Sequence, residues 1–238
     1  MNLAHFRTVI SSDVVASSSG DRHRQLHLDQ AHDKVLRRAF DAIHAVEPSM
    51  AASFLRVDGD SVTIVAEAAV ASSRLIADFI LREVLVALED ENRSRAAGYR
   101  LRLRMAVAAG EVVLDPPHVA GDAVVLAARL RDSQALRDAM SAAPQRNLGL
   151  IVSDRVYQDV VSHGERGLGA KRFDPVPVSV KPFRGQGWIH VPEGEPAPPP
   201  APAPADPPEP GNTTVHNTFH AEVHANHAVF GVVQSGRH

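Results

Sequence analysis

Cysteine is absent from all 238 residues, so disulfides, thiolate zinc sites and a cysteine nucleophile are excluded together. Aromatic residues make up only 5% of the chain, with a single tryptophan, so the core must come mainly from Leu, Val, Ile and Ala. No apolar run reaches the ~18 residues that a bilayer-spanning helix needs. Met1 to Ser12 has neither a basic stretch ahead of a long apolar run nor a small-residue cleavage site. The expectation is a soluble, cytoplasmic protein with no membrane partner. There is also no excess of basic charge: at a net charge of -3 with both signs intermixed, no broad positive field exists for nucleic acid, and none is expected as a partner. What is present is 44% hydrophobic residues, enough in a chain of this length to bury one substantial core.

The sharpest change in composition is at Pro192 to Gly211, where Pro and Ala dominate and apolar periodicity stops. Such a run favours extended polyproline II structure and cannot build a core. It divides the chain into a domain over 1–192, a linker over 193–211 and a short β-prone segment over 212–238. Within the domain, Phe6 to Ser12 reads as a strand ending at Asp13. Gln25 to Val46 reads as a helix, with Leu28, Ala31, Val35, Leu36, Ala39 and Ile43 at helical spacing. Ser53 to Val57 and Ser61 to Ala66 flank Asp58-Gly59-Asp60, a strong hairpin signal with an acidic tip. Ser72 to Arg95 is a second amphipathic helix, with Leu75, Phe79, Ile80, Val84, Leu85 and Leu88 on one stripe. Leu101 to Val107 alternates as a strand, Gly110 marks a turn, Glu111 to Leu114 resumes a strand, and Gly121 to Met140 reads as one helix. Leu148 to Val152 is a further strand, Asp154 to Ser162 a helix with Ser153 as N-cap, and Phe173 to Val191 a β-rich close. Strands alternating with helices predict a layered α/β or α+β domain.

Several segments, in order, resemble the class III adenylate and guanylate cyclase homology domain. Val9-Ile10-Ser11-Ser12-Asp13 resembles the family's first strand, which ends in a metal-binding aspartate, and Val57-Asp58-Gly59-Asp60 resembles the hairpin that carries the second. Leu103 to Val112 resembles the strand-turn-strand ahead of the active-site helix. Gly121-Asp122-Ala123-Val124-Val125-Leu126-Ala127-Ala128-Arg129 resembles the family's Gly-Asp-Ala-Val-Asn-x-Ala-x-Arg helix, the most specific of the matches. The resemblance implies a ferredoxin-like, mainly antiparallel sheet, a nucleoside triphosphate as ligand, and a homodimer. It places Mg2+ or Mn2+ at Asp13 and Asp60, a phosphate-directed catalytic cation at Arg129, and base-reading positions at Arg56 and His118. The chemistry asks for such groups, because in-line attack of the ribose 3′-oxygen on the α-phosphorus is eased by divalent ions and by a fixed cationic fork.

The chain also departs from the family. Val125 stands where the family has the asparagine that orients the ribose, and an apolar side chain cannot make that hydrogen bond. Arg56 and His118 replace the lysine and aspartate of the adenine-reading pair, so adenine preference is not expected. Each residue taken alone has a plainer reading: Asp-Gly-Asp as turn chemistry, Arg129 as a solvent-facing helix residue, Asp13 as a local cap.

Past the linker, Asn212 to Ala225 alternates as a strand, and Val229 to Gly236 is short, β-prone and free of charge and proline. Its Val232-Val233-Gln234-Ser235-Gly236 core resembles the homotypic motifs of bacterial amyloid signalling sequences, in which like side chains stack in register. The plainer reading of this tail is a disordered terminus. His216, His220 and His224 have a helical ligand spacing, but the Val, Thr and Asn around them favour a strand. The function expected is a nucleotide-sensing or nucleotide-converting signalling module, a degenerate cyclase-like domain coupled to homotypic or heterotypic assembly through the tail. The alternatives are an active cyclase of non-adenine preference, releasing pyrophosphate, and a catalytically inactive adaptor.

Overall fold

The computed structural model of the protein describes residues 3–16, 20–180 and 183–193. The linker and tail expectations past Glu193 lie outside these described residues. Among the described residues there are eight strands: β1 (His5–Val14), β2 (Phe54–Asp58), β3 (Ser61–Val65), β4 (Leu103–Asp115), β5 (His118–Ala120), β6 (Leu148–Ser153), β7 (Asp174–Val180) and β8 (Phe183–His190). Seven of them follow the order β2-β3-β1-β4-β6-β8-β7, and β5 folds back on the end of β4. The first four strands and the helices between them form a βαββαβ unit with all neighbours antiparallel, the ferredoxin-like arrangement. Only β4 and β6 run parallel, as a helical crossover between them requires.

Helices cover both faces. On one side lie α1 (Arg22–His44) and α2 (72–92), the latter with wide-turn bonding through Leu75–Val84. On the other lie α3 (Asp122–Arg131) and α4 (Gln134–Ala142). A fifth helix, α5 (154–161), is capped by the Ser153 hydroxyl, which accepts from the Val156 amide. The six apolar residues picked out on α1 are all buried, as their spacing requires, and on α2 only Leu85 of the stripe is less than fully covered. Because β1 is sandwiched, alternation sorts its side chains into two cores. Ile10 and Val14 join the α1/α2 core, and Val9 joins the α3 core.

Two sequence expectations are corrected. Gly110 is not a turn: β4 runs unbroken through it, and Gly110 pairs with Arg7. A glycine is suited there because a Cβ would lie 3.4 Å from the Cβ of Ala123, where α3 leans on the strand. The single helix expected from Gly121 to Met140 is two, because Ser133 adopts an extended conformation and caps the second through the Leu136 amide. The two edges of the sheet differ. β7 carries Pro175 and Pro177, and an edge is where a sheet tolerates proline; β2 carries none and exposes Leu55 and Val57.

Gly121 sets the start of α3. Its φ is +148°, and a Cβ there would meet the Glu111 carbonyl oxygen at 2.3 Å and the Val112 Cα at 2.9 Å. Gly121→Ala should therefore destabilise the domain by roughly 2–3 kcal/mol. Gly98→Ala, with nothing within 4 Å, should stay within about 0.5 kcal/mol of the parent. Urea unfolding of both variants checks this, and equal losses would disprove it.

Candidate functional site: a carboxylate between two guanidinium groups

The alternation of β1 puts Ser11 and Asp13 on the α3 face and Ser12 on the α1 face. Asp13 is 6% exposed, and strand register sets it directly opposite Arg104 of β4 and Ser61 of β3. The guanidinium of Arg104 closes on it as a fork, Nε donating to one carboxylate oxygen at 3.0 Å and a terminal nitrogen to the other at 2.5 Å. From α3, Arg131 reaches over the strand. It donates to the Ser11 hydroxyl at 3.0 Å, approaches Asp13 at 3.8 Å, and holds both oxygens of Asp132 at 3.0 Å. Burial pushes the Asp13 carboxyl up to about 6, against the opposing pull of the Arg104 fork and the charge of Arg131.

Asp60 follows at the hairpin turn, one residue before the Ser61 that faces Asp13. Arg131 is within electrostatic reach of both carboxylates. On the opposite face, His32 of α1 is buried and shares a 2.9 Å hydrogen bond with the Ser12 hydroxyl. Its imidazole also bonds the Asp60 backbone; desolvation pushes it down to about 4, and the nearby Asp60 and Asp33 charges only partly offset this. His32 thus ties α1, β1 and the hairpin tip together.

The other candidates sit apart from this cluster. Arg129, in the last turn of α3, is half-buried and makes no hydrogen bond or ion pair among the described residues. Val125, one turn earlier, is 45% exposed. Arg56 lies on the edge strand and pairs with Asp58 at 2.7 Å, and His118 is exposed at the start of β5. No hydrogen bond or ion pair brings Arg56 or His118 to Asp13. Sequence reasoning passed over Arg104 and Arg131. The Leu-Arg-Leu-Arg run that leads into β4 held the signal, since an arginine there must find hydrogen-bond acceptors inside the fold: Arg102 finds three backbone carbonyls and Arg104 finds Asp13.

Carboxylate oxygens from adjacent strands are suitable donors for Mg2+ or Mn2+. Asp13 and Asp60 fit that chemistry. Even so, both Asp13 oxygens already accept from Arg104, and among the described residues no group of three His, Asp or Glu side chains is placed to hold a metal. A cavity of about 900 Å³ lies elsewhere, between the Leu81–Glu89 part of α2 and the ends of β7 and β8, and neither the Asp13 cluster nor Asp60, Arg129, Val125, Arg56 or His118 lines it.

Solved structures share the fold. An adenylate/guanylate cyclase/hydrolase from Silicibacter pomeroyi aligns over 81% of this chain and 99% of its own, with a TM-score of 0.51 at 18% identity. The guanylyl cyclase Cya2 aligns over 80% and 92%, with a TM-score of 0.52 at 15% identity. A bacterial light-regulated adenylyl cyclase aligns over 78% and 90%, with a TM-score of 0.51 at 13% identity. No protein-family model and no curated protein matches the chain. The domain therefore has the class III cyclase fold, and among the described residues no helix is long and apolar enough to cross a membrane.

His32 and Asp13 make opposite contributions to pH dependence. Between about 4 and 6.5 the unfolded chain takes up a proton that buried His32 refuses, so stability from this group is complete above 6.5 and lost as pH falls. Between 3.8 and about 6 the folded domain keeps a proton that an unfolded Asp13 has released, so stability from this group is present below 3.8 and lost as pH rises. Each amounts to roughly 3 kcal/mol. Across about pH 4 to 6 the two slopes oppose each other. Relative to the parent, Asp13→Asn should gain stability with rising pH by up to about 1.4 kcal/mol per pH unit, and His32→Gln should lose it. Urea titrations through that window test the pair; curves parallel to the parent would refute it.

Proposed function

We propose that this chain is a cytoplasmic, homodimeric nucleotide-responsive signalling module. Its cyclase-like domain takes a nucleoside triphosphate at the Asp13–Asp60 end of the sheet, and its tail mediates homotypic or partner assembly. The observation that carries the reading is the cluster of Asp13, Arg104 and Arg131, buried beside the Asp60 hairpin in a fold shared with nucleotide cyclases. Arg129, half-buried with no counter-ion among the described residues, adds a cation free to meet phosphate.

Within this reading the arginines hold phosphate oxygens, and Arg56 and His118 lie at the rim where a base other than adenine is read. Asp13 and Asp60 would hold Mg2+ or Mn2+, which would supply stabilisation of the 3′-alkoxide and of the pyrophosphate charge. Turnover is weak, because Val125 offers no hydrogen bond where the transition state needs one. Arg129 favours a second reading, an active cyclase of unusual base preference, because a cation with no partner among the described residues is available for transition-state charge.

Incubating the full chain with each common nucleoside triphosphate and Mg2+ or Mn2+ tests both. Nucleotide binding that depends on Mn2+ and disappears in the Asp13→Ala, Asp60→Ala double variant is expected, with little cyclic product. Val125→Asn should raise product formation by about tenfold or more. Equal binding by parent and double variant defeats the site, and brisk turnover indifferent to Val125→Asn favours the second reading. For the tail, residues 212–238 on an inert carrier should form thioflavin-positive, sedimenting assemblies that Val233→Pro abolishes and Val233→Ile preserves. A tail that stays monomeric, or a proline variant that assembles equally well, rules this part out.

A further inference from the structure

The α1 face of the sheet is not covered to its margin. Leu55 and Val57 of β2 stand opposite Ile64 and Val62, which are buried in the α1/α2 core, yet they are 45% and 55% exposed. The backbone of β2 is open at the same place. Gly59 and Asp60 form a two-residue turn, with Gly59 at φ +61°, so Asp58 and Ser61 close the hairpin as a hydrogen-bonded pair. By alternation Phe54, Arg56 and Asp58 bond to β3, and the N–H and C=O groups of Leu55 and Val57 point outward. No further strand pairs with β2 among the described residues. On the α3 face of the same strand Arg56 and Asp58 are joined at 2.7 Å. An edge with outward donors, exposed apolar side chains and neither proline nor lysine is not blunted against pairing.

We infer that β2 is the surface on which two copies of this chain meet, edge to edge and antiparallel, in a register centred on Val57. This rests on the homodimer of the proposed function and gives it a surface. Charge selects the register. In a two-fold antiparallel pair directly opposite side chains share a face, so the axis must pass through one residue and its own counterpart. Centred on Val57, each Arg56 faces the partner's Asp58 while keeping its own Asp58 along the strand, and four charges alternate in sign around the axis. Centring on Arg56 would set the two arginines against each other, and centring on Leu55 would set Arg56 against the partner's Phe54 and Asp58 against the partner's Ala52. On the other face the two Val57 side chains meet, and the apolar row that leaves the core at Val62 is continued across the joint. The same pairing adds the partner's Arg56 to the margin of the cross-strand row Asp58, Ser61, Asp13.

Because the chain has no cysteine, a single introduced thiol reports on one position. Opposite residues of a bonded antiparallel pair have Cα atoms about 5.5 Å apart, within the span of a disulfide. Under mild oxidation the full chain with Val57→Cys should give a disulfide-linked dimer about tenfold or more faster than Val46→Cys, which is 59% exposed but lies outside the sheet. Leu55→Cys, opposite the partner's Gly59, should link no faster than Val46→Cys. Faster linkage at Leu55 than at Val57 overturns the register, and equal rates at all three overturn the edge. Sedimentation equilibrium is the second arm, with Val233→Pro in every chain to keep the tail out of the association. Arg56→Asp and Asp58→Arg should each weaken self-association about tenfold or more, by setting like charges opposite. An equimolar mixture of those two variants should recover it, as should both exchanges in one chain; a merely structural role for either residue would give no such recovery. Circular dichroism and melting establish that each variant folds. If the parent is dimeric, indifferent to the charge exchanges and unlinked at Val57, the homodimer stands on another surface and the edge pairing falls. If the parent is monomeric at every concentration and unlinked at Val57, both fall.

Discussion

A carboxylate buried at the end of a central strand needs a partner to stay ionised, and for Asp13 strand register supplies it. β1 and β4 are antiparallel in a register that sets Asp13 across from Arg104, and the same register on the other side sets Ser61 across from it. A one-residue slip would turn Asp13 toward the α1 core and send Ser12 to the α3 face. The placement of α3 depends on the same pairing, because Arg131 crosses β1 to reach both Ser11 and Asp13. Buried ion pairs of this kind add little net stability, since desolvation offsets much of the attraction, whereas losing one member is costly. The pair is better understood as fixing position than as strengthening the fold.

The elements most legible in the sequence are those whose periodicity reflects burial directly. α1 could be read because Leu28, Val35, Leu36 and Ile43 recur at helical spacing and face a single core. The hairpin could be read because Asp58-Gly59-Asp60 is local turn chemistry, and Gly59 does take positive φ. Gly110 misled because glycine marks a close approach of elements as readily as it marks a turn, and only the packing of α3 distinguishes the two. The break between α3 and α4 was hidden because Leu126, Leu130 and Leu136 keep an apolar pattern across it, while the capping choice of Ser133 is local and weak. For the site, Asp13 and Asp60 were visible as motif positions. Arg104 was not, because its role depends on a partner 91 residues away.

Cyclases solved with the same fold share less than 20% sequence identity with this chain. Apolar positions that fill the two cores tolerate exchange among Leu, Val, Ile and Ala, so the architecture persists while sequence drifts. Exposed positions are not constrained in this way. Val125 and His118 are exposed, their identities are not dictated by packing, and any consequence of changing them falls on what the domain meets rather than on how it folds.

The unequal edges of the sheet give the domain a directional limit on growth. Prolines at 175 and 177 remove two successive donors from β7, so a further strand cannot complete a ladder there, whereas β2 at the opposite margin has all its donors and exposes Leu55 and Val57. A sheet open at one margin accepts one neighbour and is then closed, so strand addition through this domain ends at a pair and cannot run on into a filament.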